Sequence, residues 1–108
     1  MAAIQLIRFM EIEKKTSGDS LELMLSGRVD GVAANQLEVE VLGAMKQGVK
    51  AIFVNMAQAT FLCSAGIRVL LQYHRQMKNK GLRLLVTRPS PEVASALEMT
   101  GFPELLER

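Results

Sequence analysis

Residues 50–86 read "KAIFVNMAQATFLCSAGIRVLLQYHRQMKNKGLRLLV" and hold a helix pattern between two apolar runs. The first run, at 50–55, is short and rich in strand-forming residues, which predicts a strand covered on both faces. A loop is expected over 56–63. A helix is predicted from about Ser64 to Gly81, because an apolar stripe recurs at i, i+3, i+4 and i+7, formed by Ile67, Leu70, Leu71 and His74. The second run, at 82–86, predicts another strand.

The same alternation of strands and helices continues on both sides of this segment. Alternating leucines at 21–25 predict a strand, "SGRVDG" (26–31) a turn, and apolar spacing over 33–47 a helix. Ser90 is expected to cap a last helix that stops at Gly101, and residues 4–12 to add an antiparallel edge strand. The fold class expected is therefore α/β, a small open mixed sheet with mostly parallel central strands and helices packed against it.

Size and composition predict one globular domain over residues 1–108, because 108 residues are too few for two ordinary domains. The net charge of +2 comes with scattered Lys and Arg, so no nucleic-acid partner is expected. No apolar run approaches the roughly 20 residues of a membrane span, and the start lacks the basic region of a secretory signal, so no membrane insertion is expected. The single cysteine has no intramolecular partner for a disulfide, which favours the cytoplasm.

Ser64 stands at the predicted junction of a strand and a helix, and partners of open α/β sheets gather at the carboxyl ends of parallel strands. Two compatible interpretations remain open. In the first, Ser64 is an N-cap whose hydroxyl accepts a hydrogen bond from the N–H of Gly66 or Ile67. In the second, a partner contacts or modifies Ser64. Gly66 lowers the helix propensity of the first turn, so its presence needs a reason. We expect that the missing side chain lets another surface approach the backbone. A bulky residue in place of Gly66 should then have little effect on thermal stability.

An enzyme based on Cys63 would need a base close to the thiol. The only histidine, His74, lies ten residues into the predicted helix, about 15 Å from its start at 1.5 Å per residue. A lone histidine makes no metal site, and no glycine-rich phosphate loop is present. We therefore expect no catalytic residue, no metal and no cofactor, and an inert buried Cys63.

Three segments resemble the STAS domain, namely "LSGRVDGVAANQL" (25–37), residues 51–86, and "SPEVASALEMTGF" (90–102). This family contains the bacterial anti-sigma factor antagonists and the cytoplasmic domains of sulphate transporters, and the resemblance covers about residues 20–107. Its hallmark is Asp-Ser-Ser/Thr-Gly at the start of a helix, where the first serine is phosphorylated. Ser64 matches the phosphoacceptor and Gly66 the glycine, whereas Cys63 and Ala65 depart from the pattern.

The resemblance implies a regulatory module whose unphosphorylated form binds an anti-sigma factor that is a serine kinase. Phosphorylation of Ser64 would part the complex, and a phosphatase would restore the binding form. The alternative is a STAS-type scaffold or adaptor in a stress-signalling or transport complex that is never phosphorylated, which the missing aspartate at Cys63 favours. The partner surface expected from the match and the topology comprises Asp30, Asn55, Met56, Phe61, Leu62, Cys63, Ser64, Gly66 and Arg68.

Overall fold

The computed structural model describes residues 10–106. The strands are β1 (Glu11–Ser17), β2 (Ser20–Val29), β3 (Ala51–Leu62) and β4 (Arg83–Thr87). The helices are α1 (Gly31–Lys46), α2 (Ser64–Asn79) and α3 (Pro91–Thr100), followed by a 3-10 turn at Pro103–Leu105.

The four strands form one sheet in the order β1-β2-β3-β4. β1 is antiparallel to β2, while β2 with β3 and β3 with β4 are parallel. Both parallel connections step in the same direction across the sheet, so right-handed crossovers place α1 and α2 on the same face. The expected fold class, a small open mixed sheet with parallel central strands and helices against it, is confirmed.

The core lies between the helices and one face of the sheet. Along the first half of β2 and β3, buried side chains alternate with half-buried ones, as the period of two in a strand requires. Pairing keeps the buried positions level across three strands, so that Leu23 lies beside Val54 and Val54 beside Val86. The largest fully buried side chains include Leu23, Leu25, Leu37, Val41, Ile52, Met56, Leu70, Met77, Leu84 and Leu97.

β3 is longer than its sequence pattern indicates, so the loop expected at 56–63 was wrong. Residues 56–62 continue the strand beside the second half of β2, and the turn expected at "SGRVDG" is replaced by β2 up to Val29. Two register shifts allow this pairing, and Gly27 takes φ +95° there, a conformation that suits glycine. The bulges interrupt the alternation of buried and exposed residues, so the second halves of β2 and β3 lack the sequence pattern by which strands are predicted.

Two further expectations about the sheet need correction. The described antiparallel edge strand lies at Glu11–Ser17, so it overlaps the expected 4–12 only at residues 11–12, and residues 4–9 are outside the described part of the chain. Within the described residues, β3 is not covered equally on both faces. Phe53 and Asn55, on the face away from α1 and α2, are only half-buried, because both crossover helices pack on the other face. The helix expected to start after Ser90 is confirmed, with the Ser90 hydroxyl accepting from Val93 N at 3.2 Å.

Candidate functional site

The carboxyl ends of β2 and β3 lie side by side, and a helix begins after each. Val29 and Leu62 are paired at these ends, and Cys63 N donates to Val29 O at 3.0 Å. α1 follows Val29 through Asp30, and α2 follows Leu62 through Cys63. The structure therefore brings Asp30 and Ser64 to the same edge of the sheet, as the topology predicted.

Asp30 is the N-cap residue of α1. Its Oδ1 accepts a hydrogen bond from Ala33 N at 2.9 Å, and its side chain is half-buried. The carboxylate thus satisfies one of the free N–H groups of the first turn and lies at the positive end of the helix dipole. Asp30 supplies a fixed negative charge at this edge of the molecule.

Ser64 is exposed and is the first helical residue of α2, while Cys63 takes the N-cap position. The interpretation of Ser64 as the N-cap was therefore wrong, because the extended backbone continues through Cys63, at φ −85° and ψ 171°. The half-buried Cys63 side chain makes no capping hydrogen bond, and the first turn of α2 carries no acidic residue. The N–H groups at the start of α2 thus lack the side-chain acceptor that Asp30 gives to α1.

Three residues expected on the partner surface are buried in the protein's own core. Gly66 packs against the strand ends, where a Cβ would lie 2.7 Å from Leu62 Cδ1 and 3.1 Å from Val29 Cγ1. Leu62 is only 6% exposed, and Met56 is fully buried because it lies on the helix-bearing face of β3. Gly66, Leu62 and Met56 are therefore structural residues, and the expectation that a partner contacts them was wrong.

Asn55 also lies away from this edge, because β3 does not end there. Seven residues separate it from Leu62, which is about 23 Å along a strand. Its Nδ2 donates to Glu22 Oε2 at 3.1 Å, and its Oδ1 accepts from Ala57 N at 3.0 Å. Asn55 is thus part of the sheet face opposite α1 and α2.

Arg28 completes the exposed edge and was missed in the sequence because "SGRVDG" was taken for a turn. It is paired with Phe61, and its guanidinium carbon lies 4.2 Å from the centroid of the Phe61 ring. Both side chains are exposed. Arginine and aromatic residues dominate the binding energy of many protein interfaces. We call the surface formed by Arg28, Asp30, Phe61, Cys63, Ser64 and Arg68 the rim.

Arg68 lies one turn after Ser64 on α2 and is exposed, beside a small cleft between α1 and α2 that Glu38 also lines. Deeper between the helices, the Tyr73 hydroxyl donates to Glu38 Oε2 at 2.6 Å. Burial, followed by the hydrogen bond and the negative charge of Glu38, raises the pKa of Tyr73 to about 12. This bond links the middle of α1 to the middle of α2.

The one histidine of the sequence lies far from the Cys63 thiol. His74 follows it by eleven residues on the same helix, about 16 Å away at 1.5 Å per residue. His74 is buried, as expected, with Nδ1 2.8 Å from Leu84 O. Residues 10–106 contain no group of three His, Cys, Asp or Glu side chains placed to hold a metal ion. In the same range no helix is both long and apolar enough to cross a membrane.

The family model for the STAS domain matches residues 11–107. The chain belongs to the STAS domain family. Over 78 residues, 72% of this chain and 67% of the relative, it is 28% identical to the "Putative anti-sigma factor antagonist BtrV" of Bordetella bronchiseptica. It is 26% identical over 98 residues, 90% of both chains, to the anti-sigma-B factor antagonist of Staphylococcus aureus.

Solved structures of the Bacillus protein SpoIIAA share the fold of this STAS domain. The unphosphorylated anti-sigma factor antagonist SpoIIAA gives a TM-score of 0.78 at 22% identity, over 92% of this chain and 86% of that one. The phosphorylated form gives 0.72 at 20% identity, over 92% and 89%. The likeness thus spans nearly the whole of both chains.

Proposed function

We propose that this STAS domain is an anti-sigma factor antagonist whose rim binds an anti-sigma factor with serine-kinase activity. Phosphorylation of Ser64 ends the binding, and a phosphatase restores it, in the cytoplasm of a bacterium. The observation that carries the proposal is the exposure of Ser64 in the first turn of α2, beside Asp30 and the Arg28–Phe61 pair. The names of the bacterial relatives support the same role.

A phosphate on Ser64 would be well tolerated by the folded domain. It adds about −1.5 to −2 charges at the positive end of the α2 dipole, where free N–H groups favour an anion. Neither an acidic residue in the first turn nor a capping side chain at Cys63 competes with it. Phosphorylation therefore acts on the surface of the rim and leaves the fold intact.

The same phosphate would repel a docked partner. A hydrophobic or acidic surface packed on Phe61 would meet a hydrated dianion close to the carboxylate of Asp30. Like-charge repulsion and the cost of removing water from the phosphate both weaken such an interface. The switch thus follows from one local change of charge.

Cys63 supports a second candidate function, a constitutive STAS-type adaptor. The family pattern has aspartate at this position and a second hydroxyl residue where this chain has Ala65. If that aspartate helps to orient the serine hydroxyl or a metal-bound phosphate donor, its loss slows transfer to Ser64. In the adaptor, binding through the rim would persist with no charge event to control it.

The test uses the purified domain, ATP with Mg²⁺, and a candidate anti-sigma factor kinase from the source genome. We expect intact mass to show one phosphate on the parent chain and none on Ser64→Ala. By calorimetry, Ser64→Ala should bind like the parent, and Ser64→Asp at least about tenfold more weakly, a loss of about 1.4 kcal/mol. Cys63→Asp should be phosphorylated faster than the parent.

Two results would redirect the proposal. Equal affinity of Ser64→Asp and Ser64→Ala, with no phosphate found on Ser64, favours the adaptor. Unaltered affinity after Phe61→Ala would remove the rim as the binding surface. Arg75→Ala serves as the matched control, because Arg75 is exposed on α2 well beyond the rim.

A further inference from the structure

A cavity of about 500 Å³ opens on the sheet face opposite α1 and α2. Phe53 and Glu22 lie in the middle of it, Lys15 on the β1 side, and Thr87 and Arg88 at the end of β4. Phe53 precedes Leu62 by nine residues, about 30 Å along β3. The cavity and the rim are therefore separate surfaces. Its volume falls within the range of pockets that hold small molecules.

The side chains around the cavity favour a negatively charged ligand. Lys15 and Arg88 line it, and the guanidinium carbon of Arg83 lies 5.8 Å from the centroid of the Phe53 ring. Among the described lining residues, Glu22 is the single carboxylate, and its Oε2 already accepts a hydrogen bond from Asn55. Two cations thus line the cavity and a third lies near its aromatic ring, against one carboxylate that already has a hydrogen-bond partner.

The backbone at Arg88 is strained, which is an independent observation at the same place. Arg88 has φ +47°, in the left-handed region that side chains other than glycine disfavour. Pro89 follows it, and a residue before proline is normally held in the extended region. Strain of this kind is concentrated at ligand clamps and other functional positions.

Thr87, the residue before Arg88, lines the cavity through atoms other than its hydroxyl oxygen. Its Oγ1 is buried and finds no hydrogen-bond partner among residues 10–106. Buried polar atoms in native proteins almost always have a partner, so each exception asks for an explanation. Because Oγ1 exposes almost no surface to the cavity, a ligand there would not contact this atom.

We propose that the cavity binds a small aromatic anion. The ring stacks on Phe53, and the anionic group pairs with Lys15 and Arg88. Aromatic pairs favour offset or edge-to-face contact, and charge-assisted hydrogen bonds to arginine are among the strong ones in proteins. A carboxylate and a phosphate share this chemistry, and the experiment separates them.

The experiment titrates the domain with 1-naphthoate, 1-naphthyl phosphate and the neutral 1-naphthamide. Naphthyl fluorescence is readable because the chain contains no tryptophan. We expect saturable binding of at least one anion, and binding of the amide at least about tenfold weaker, since a charged hydrogen bond is lost. The tighter anion identifies the preferred group, and amide shifts in NMR should centre on Phe53 and Arg88.

Arg88→Gly is the decisive variant, because glycine takes φ +47° without strain and carries no charge. It should fold with a melting temperature close to the parent's and bind the anion about tenfold more weakly. Phe53→Leu should weaken binding too, whereas Arg75→Gln, with the same loss of charge elsewhere, should leave it unchanged. Equal binding of the neutral amide, full affinity in Arg88→Gly, or absence of saturable anion binding would each overturn the proposal.

Discussion

Gly66→Ala tests whether Gly66 makes room for the protein's own core or for a binding partner. The new Cβ would lie 2.7 Å from Leu62 Cδ1 and 3.1 Å from Val29 Cγ1. Both neighbours are buried, and Val29 is fully so. To accept a methyl group, the end of the Leu62 side chain must rotate away, or the start of α2 and the paired strand ends must move apart.

Two opposing terms set the magnitude. Alanine gains up to about 1 kcal/mol over glycine in a helix interior, less near an end. Inserting a methyl group into a packed core costs about 1–3 kcal/mol. We expect the overpacking to win, and the free energy of unfolding to fall by about 1–2 kcal/mol. In a domain of this size, each kcal/mol lowers the melting temperature by about 4–8 °C.

Gly43→Ala is the matched control for this substitution. Gly43 lies inside α1, and a Cβ built there meets nothing within 4 Å. The same chemical change should therefore raise the free energy of unfolding by about 0.5–1 kcal/mol, through helix propensity alone. Urea unfolding of the parent and both variants, followed by circular dichroism, should show shifts of opposite sign.

Leu62→Val adds a test of the contact itself, because valine has no Cδ1 atom. Together with Gly66→Ala it should cost less than the sum of the two single changes, since the two side chains no longer overlap. A Gly66→Ala variant as stable as Gly43→Ala, or full additivity with Leu62→Val, would refute the packing role of Gly66.

Two other outcomes follow from the same region. The stability of the parent should fall as pH rises from 10 to 12, because the raised pKa of Tyr73 lets the folded state hold a proton that the unfolded state releases near pH 10. In Tyr73→Phe, the free energy of unfolding should not show this fall between pH 10 and 12. The same fall in parent and variant would disprove the role of Tyr73. Cys63→Asp should raise the free energy of unfolding by about 0.5–2 kcal/mol at neutral pH, because it gives α2 an N-cap acceptor and a negative charge at its first turn. This gain should disappear as acid protonates the new carboxyl; equal stability of both proteins in urea at neutral pH would contradict it.

Elements with a strong local signal could be predicted from the sequence. The stripe of Ile67, Leu70 and His74 predicted α2, and Ser90 predicted the start of α3. The second half of β3 could not be predicted in this way. There the buried positions are Met56, Ala59 and Leu62, three residues apart. Such spacing arises from the register shifts against β2, which no local pattern reports.

The candidate site shows the same division between topology and packing. The rule that partners gather at the carboxyl ends of parallel strands correctly placed Asp30 and Ser64 at one edge. Which side chains face outward there depends on how α2 packs against the strand ends, so the burial of Leu62 and Gly66 could not be derived. Arg28 was not predicted as a rim residue for a related reason. Its exposed position follows from the extension of β2 through a segment that was predicted to be a turn.

The length of β3 also bears on how the two proposals relate. The strand carries Phe53 in the cavity and Phe61 on the rim, and a different arginine lies over each ring, Arg83 over Phe53 and Arg28 over Phe61. Sites farther apart than about 10 Å without shared partners usually contribute additively. Charge at Ser64 should then leave anion affinity in the cavity unchanged, and Arg88→Gly should leave binding at the rim unchanged. A variant that loses binding at the rim should keep binding at the cavity, and the reverse. The regulatory role and the ligand site can therefore be refuted independently.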